Sequence, residues 1–128
     1  MKKKVRGKLT GNTAHLEPHE QATIDFLLTR GEDIEIIEPS GTPHNLKPDL
    51  IMRGLVWEMK APVSTNSESL RQLFKKGTKQ SQNLIFDLRR LRSEGSVVKN
   101  LHKYFIESHR AKRMLIITKT REITELRK

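Results

Sequence analysis

KPDLIMRGLVWEMK, residues 47–60, decides the fold. Two apolar runs, Asp49 to Met52 and Leu55 to Lys60, flank Arg53-Gly54, a pattern that predicts a β-hairpin, although Arg is a weaker first turn residue than Asn or Asp. Side chains along a strand alternate between faces, so Glu58 and Lys60 share one face and Trp57 and Met59 the other. If Arg53 and Gly54 are the turn, Met52 pairs with Leu55 and, three positions on, Asp49 lies opposite Glu58. At about 5 Å and an effective dielectric near 20, two such carboxylates repel by roughly 3 kcal/mol. A divalent cation between them, Mg²⁺ or Mn²⁺ before Zn²⁺, would remove that repulsion. Lys60 projects toward the same spot, where an ammonium can orient water or stabilise charge developing on a phosphate. Asp49 and Glu58 as metal ligands, with Lys60 beside them, describe metal-assisted phosphodiester hydrolysis. A Glu–Lys pair on an exposed hairpin would carry the same spacing and contribute little. Ile51 and Val56 on the chemical face argue against full exposure.

Around this segment, the chain reads as alternating helices and strands. Pro18 to Arg30 is predicted helical, with Pro18 at the first position, Ile24, Leu27 and Leu28 on one face and Gly31 beyond the end. Asp33 to Glu38 follows as a strand, and Pro39 to Pro48 as a loop. A second helix opens at Ser67 and ends near Ser81, Asn83 to Leu88 reads as a buried strand, and a third helix runs from Ser96 to about Lys112. Met114 to Thr118 is a further strand, whereas the pattern of Arg121 to Lys128 fits a strand or a short helix equally. Residues 1–13, basic and then polar, read as a tail or linker, and residues 14–128 as a single domain. The expected class is α/β, a mixed sheet flanked by helices.

Further candidates lie on the helices. Glu20 stands four and seven residues before Ile24 and Leu27, which makes it either another metal ligand or a first-turn acid favoured by the helix dipole; Glu17, before Pro18, is a plausible cap. Gln80 falls on the packed face of the second helix with Leu73 and Gly77, where its amide would hold a phosphate or a water, or be satisfied as a buried polar group. Gly77 inside a helix costs about 1 kcal/mol relative to Ala and signals the close approach of a neighbour. Lys76 and Lys79 at the edges of that helix, with His19 and His44, are candidate phosphate-binding residues.

Composition narrows the function class. The 128 residues carry 25 Lys and Arg against 15 Asp and Glu, a net charge of +10, which favours polyanions and above all nucleic acid. The acids are concentrated in residues 9–69, which hold ten against four bases, while residues 70–128 hold sixteen bases against five acids. Carboxylates gathered inside a basic chain suit a metal-dependent enzyme acting on a phosphate backbone; a nucleic-acid-binding module without catalysis is the rival reading. No cysteine is present, so a metal must sit on oxygen or imidazole ligands. No apolar run reaches the roughly 18–20 residues of a membrane-spanning helix.

Pro48-Asp49 on one strand and Glu58-Met59-Lys60 on the next resemble the PD-(D/E)xK nuclease superfamily, whose restriction-endonuclease-like core is a mixed sheet between helices. The likeness extends from about Ala14 to Thr118 through PDLIMRGLVWEMKAP and LRQLFKKGTKQSQNLIFDLRR. That longer pattern is similar to the C-terminal toxin domains of contact-dependent growth inhibition proteins, particularly those described as tRNA nucleases. The resemblance implies an endonuclease with Asp49, Glu58 and Lys60 catalytic and Glu20 and Gln80 in support. It also implies RNA, most of all tRNA, as substrate before DNA, and an acidic immunity protein as partner. The site of action it implies is the cytoplasm of a bacterial target cell, reached as part of a larger secreted protein.

Overall fold

In the computed structural model, which describes residues 5–38 and 48–128, the hairpin forms with the expected turn. Arg53 and Gly54 have φ of 57° and 74°, the two positive values that a type I′ turn requires. Arg53 tolerates the left-handed conformation because its guanidinium is held by Glu32 at 2.6 Å and Glu125 at 3.0 Å. The predicted register follows: β3 (Leu50–Met52) pairs antiparallel with β4 (Leu55–Lys60), Leu50 opposite Trp57 and Met52 opposite Leu55.

The remaining elements are β1 (Leu9–Thr10), α1 (Pro18–Thr29), β2 (Ile34–Ile36), α2 (Ser67–Gln80), β5 (Asn83–Asp87), α3 (Val97–Glu107), β6 (Arg113–Ile117) and β7 (Ile123–Arg127). They build one mixed seven-stranded sheet in which the strands lie in chain order. β4, β5 and β6 are mutually parallel and joined through α2 and α3, while β7 returns antiparallel along β6. The alternation of side chains splits the interior in two. Leu50, Met52, Trp57, Met59 and Ile85 pack with Ile24, Leu27 and Leu28 of α1. Leu84, Phe86, Met114 and Ile116 pack with Leu70 and Phe74 of α2 and Leu101 and Phe105 of α3.

Several expectations need correction or sharpening. Residues 1–13 are not simply a tail, because Leu9–Thr10 pairs parallel with β2 and the Gly7 amide donates to the Leu28 carbonyl at 2.8 Å. Main-chain pairing needs no apolar side chains, so hydropathy is blind to it. The third helix stops at Glu107 rather than near Lys112. Ser108 is extended, and its hydroxyl accepts from the amides of Arg110 and Ala111, a local turn that competes with helical bonding. The undecided C-terminal stretch is a strand, fixed by its ladder to β6. The second helix opens at Ser67 as expected, capped by Asn66, whose side chain accepts from the Ser69 amide.

A buried polar link ties the sheet to α1. Asp87, at the end of β5, accepts from the Thr23 hydroxyl at 2.6 Å and from the Arg89 guanidinium at 2.8 and 2.9 Å. Arg89 also lies over the Phe26 ring at 4.6 Å. Burial alone would raise the Asp87 pKa, but the bonds from Arg89 and Thr23 outweigh it and hold the carboxyl below its usual range. A depressed folded pKa contributes stability above the unfolded value near 4 and loses it as pH falls through the folded one. Asp87→Asn is therefore expected to destabilise the chain by about 2–3 kcal/mol at pH 7, with the difference from wild type shrinking at pH 3 in urea titrations. A constant difference across that range would contradict this reading.

Candidate active site

The site lies where the C-terminal part of β4 meets the start of β3 and the end of α2. Glu58 and Lys60 take the face turned toward α2, beside Leu84 and Phe86 of the neighbouring strand. This follows from the alternation, since Trp57 and Met59 occupy the opposite core. The face is far from exposed: Glu58 has only 4% of its surface open, and its charged neighbours are Asp49 and Lys60.

Asp49 stands just before β3 and is clamped by three bonds. Its amide donates to the Trp57 carbonyl at 2.9 Å, its carbonyl accepts from Ile37 at 3.0 Å, and its carboxylate accepts from the Met59 amide at 2.8 Å. The side chain has taken the place of a main-chain acceptor, which is why the strand begins only at Leu50. These bonds to Trp57 and Met59 bracket Glu58, so the two carboxyls face one another as the hairpin register requires.

Lys60 supplies the counter-charge. Its Nζ lies 3.2 Å from Glu58 Oε2 and donates to Gln80 Oε1 at 3.0 Å. Gly77 makes room for this contact: a Cβ there would stand 3.5 Å from Lys60 Cε and 3.0 Å from Leu84 Cδ2. The helical glycine thus marks a close approach, and the approaching groups are side chains of β4 and β5. Gln80 meets Lys60 through its oxygen, because an ammonium can only donate. Its amide NH₂ remains to donate elsewhere.

One lone pair is left over. Glu58 Oε1 is buried without a hydrogen-bond partner among the described residues. Burial first, and then the neighbouring charge of Asp49, push the Glu58 carboxyl up to about 8 despite the opposing pull of Lys60. Asp49 is raised as well, mainly by burial, with the charge of Glu20 adding to the rise and the Met59 amide opposing it.

The other candidates are placed as follows. Glu20 is near enough for its charge to reach Asp49, but its Oε1 accepts from the Glu17 amide at 2.8 Å, closing a capping box at the start of α1. Among the described residues no three acidic or histidine side chains converge as a metal-holding group, so the oxygen donors present are the pair Asp49 and Glu58. That pair, with an unpartnered buried oxygen, suits a hard divalent cation. His19 lies in the first turn of α1, half-buried. Lys76, one turn before Gln80, lies on the site's side of α2, while Lys79 lies toward its solvent face; both are exposed. His44 lies outside the described residues. The Thr23–Asp87–Arg89 link escaped the sequence reading, and the only signal for it was an Asp two residues before an Arg at a strand end.

The profile described as contact-dependent growth inhibition CdiA C-terminal domain matches residues 46–123, more than half of the chain and inclusive of Asp49, Glu58, Lys60 and Gln80. No curated protein matches significantly. Among solved structures, a CdiA-CT/CdiI toxin and immunity complex from Burkholderia pseudomallei contains a chain of the same fold, with a TM-score of 0.73 at 19% identity, covering 95% of this chain and 100% of that one.

The raised Glu58 pKa carries a sign. A folded pKa above the unfolded one contributes stability that is complete below the unfolded value near 4.5 and disappears as pH rises through about 8. The metal-free protein should therefore lose stability between pH 5 and 8, by up to about 1.4 kcal/mol per pH unit. Glu58→Gln should flatten that slope and be the more stable chain at pH 8 in chelator. A slope unchanged by the substitution would contradict the assignment.

Proposed function

This chain belongs to the CdiA C-terminal domain family of contact-dependent growth inhibition, and on that premise we propose that it is a metal-dependent endonuclease toxin of the PD-(D/E)xK type that hydrolyses RNA, tRNA above all. The carrying observation is the buried Glu58 carboxylate, set between Asp49 and a Lys60 that is itself held by Gln80. A surface ion pair would need none of that burial. The net charge of +10 supports a polyanionic substrate.

Asp49 and Glu58 would hold the cation, Mg²⁺ or Mn²⁺, which when bound polarises a phosphoryl oxygen and lowers the pKa of a water. Each remaining group has its own task. Lys60 places a positive charge at the edge of the carboxylate pair, where negative charge builds on the phosphate as water adds to phosphorus and the bond to one ester oxygen breaks. Gln80 holds the Lys60 ammonium in position and turns its NH₂ toward the substrate. The charge of Glu20 behind Asp49 discourages loss of the cation. Lys76, Lys79 and His19 are the nearest candidates for holding flanking phosphates. As in the solved toxin and immunity complex, a partner would neutralise the domain, and the basic surface favours an acidic one. Its place of action is the cytoplasm of a target cell, after delivery within a larger protein.

Purified tRNA and plasmid DNA, each incubated with the chain in Mg²⁺, Mn²⁺ or chelator, test the reading. The expected result is cleavage of tRNA that chelator abolishes, loss of cleavage by at least about 100-fold in a folded Lys60→Ala chain, and a smaller loss in Gln80→Leu. Cleavage that persists in chelator, or a fully active Lys60→Ala chain, would overturn it.

A further inference from the structure

α2 separates the candidate site from a groove on its far side. Gln80 meets Lys60 of β4, whereas Arg71, Lys75 and Thr78 line a depression of about 330 Å³ between α2 and the end of α3. Its floor is aromatic: Phe74 and Tyr104 sit with ring centroids 5.9 Å apart and tilted by 53°. The Tyr104 hydroxyl donates to the Ser67 carbonyl at 3.2 Å, which fixes the ring in place. The rim is basic, formed by Arg71 and Lys75 from α2 and Arg110 from the turn after α3. Glu107 is the one carboxylate lining it. Arg71 shares its charge with exposed Glu68 at 3.4 Å, but neither Lys75 nor Arg110 has an ion-pair partner among the described residues.

Cations left unpaired around a fixed aromatic floor form a site for a group that is both flat and anionic. A nucleotide has both properties: a base to lie on the rings and phosphates for the rim. A purely anionic chain such as polyglutamate would satisfy the rim and leave the floor without a use. Resting on the nuclease reading above, we propose that the groove between α2 and α3 is a non-catalytic subsite for a single-stranded stretch of the RNA substrate, with a base against Tyr104 and phosphates on Lys75 and Arg110. A helix with its side chains is about 10–12 Å across. A polynucleotide therefore can cross α2 and occupy groove and cleavage site together, and a mononucleotide cannot. The basic residues of α2 and those following α3, far apart in the chain, act in this way on one strand.

Binding of a fluorescent single-stranded oligoribonucleotide, followed by anisotropy across a salt series in the full chain carrying Lys60→Ala, tests the subsite. Replacing Lys75, Arg110 and Arg71 by Gln, all at surface positions, should weaken binding about tenfold or more and flatten the salt dependence by about 0.7 log units for each phosphate that is no longer neutralised. Tyr104→Leu should weaken binding by a similar factor while leaving the salt slope unchanged, because stacking releases no counterions. 4-Thiouridine in the oligonucleotide should cross-link to the peptides carrying Phe74 or Tyr104. Unchanged affinity and slope in the triple variant, with the parent chain binding RNA, would overturn the subsite and leave the nuclease reading standing. So would displacement of a bound polyglutamate by those substitutions without any effect on RNA. No RNA binding by the Lys60→Ala chain, with the wild-type chain cleaving tRNA, would also overturn the subsite alone, and no binding by the first with no cleavage by the second would overturn both.

Discussion

A carboxylate taken out of water in the middle of a sheet sets the terms for the rest of this molecule. Burying an ionised Glu58 is unfavourable unless its charge is matched, and Lys60 meets only one of its two oxygens, so the carboxyl holds its proton up to about pH 8. The charge of Asp49 adds to the cost of ionising Glu58, and a hydrogen bond between the two carboxyls favours the proton staying on Glu58. A chain selected for stability alone would place an apolar residue there. Three ionisable groups held together, with one oxygen unanswered, are the observation on which the proposed cation site rests.

The fold is arranged to hold that imbalance rigidly. β4 lies between an antiparallel and a parallel neighbour, so its main chain is held on both sides and Glu58 is buried between them. Below it, Trp57 is fully buried and donates to the Met52 carbonyl, pinning the hairpin across its own turn. Above it, the absent side chain of Gly77 lets α2 settle onto Lys60 and bring Gln80 within reach. At the far end of the hairpin, Arg53 anchors the turn to both β7 and the loop after α1. The Asp87–Arg89–Thr23 link secures α1, and with it Glu20, against the end of the interior strand β5, next to β4.

How far the sequence revealed this depended on the kind of physics involved. The hairpin, its register and the sharing of one face by Glu58 and Lys60 follow from a two-residue alternation and a turn, both local, and the structure reproduces them. Gly77 was legible as a contact point because glycine in a helix is unfavourable without one. Strand Leu9–Thr10 was not legible, since parallel main-chain pairing leaves no mark on side-chain pattern. The end of α3 was misplaced because a serine hydroxyl bonding two amides ahead decided it, an effect the apolar period does not register. Glu20 was ambiguous from spacing; the structure shows its first-turn role, with its side chain on the Glu17 amide, while its charge still reaches Asp49. Neither the Lys60–Gln80 bond nor the α2–α3 groove could be seen, since each depends on how two elements distant in sequence settle together.

The most direct measurement of the central claim is calorimetric titration of the wild-type chain with Mn²⁺ at pH 7, repeated in buffers of different ionisation enthalpy. If Glu58 keeps a proton until a cation replaces it, binding must release close to one proton per site and tighten as pH rises toward 8. Binding with no proton release and no dependence on pH, or no binding at all by a folded chain, would contradict the account.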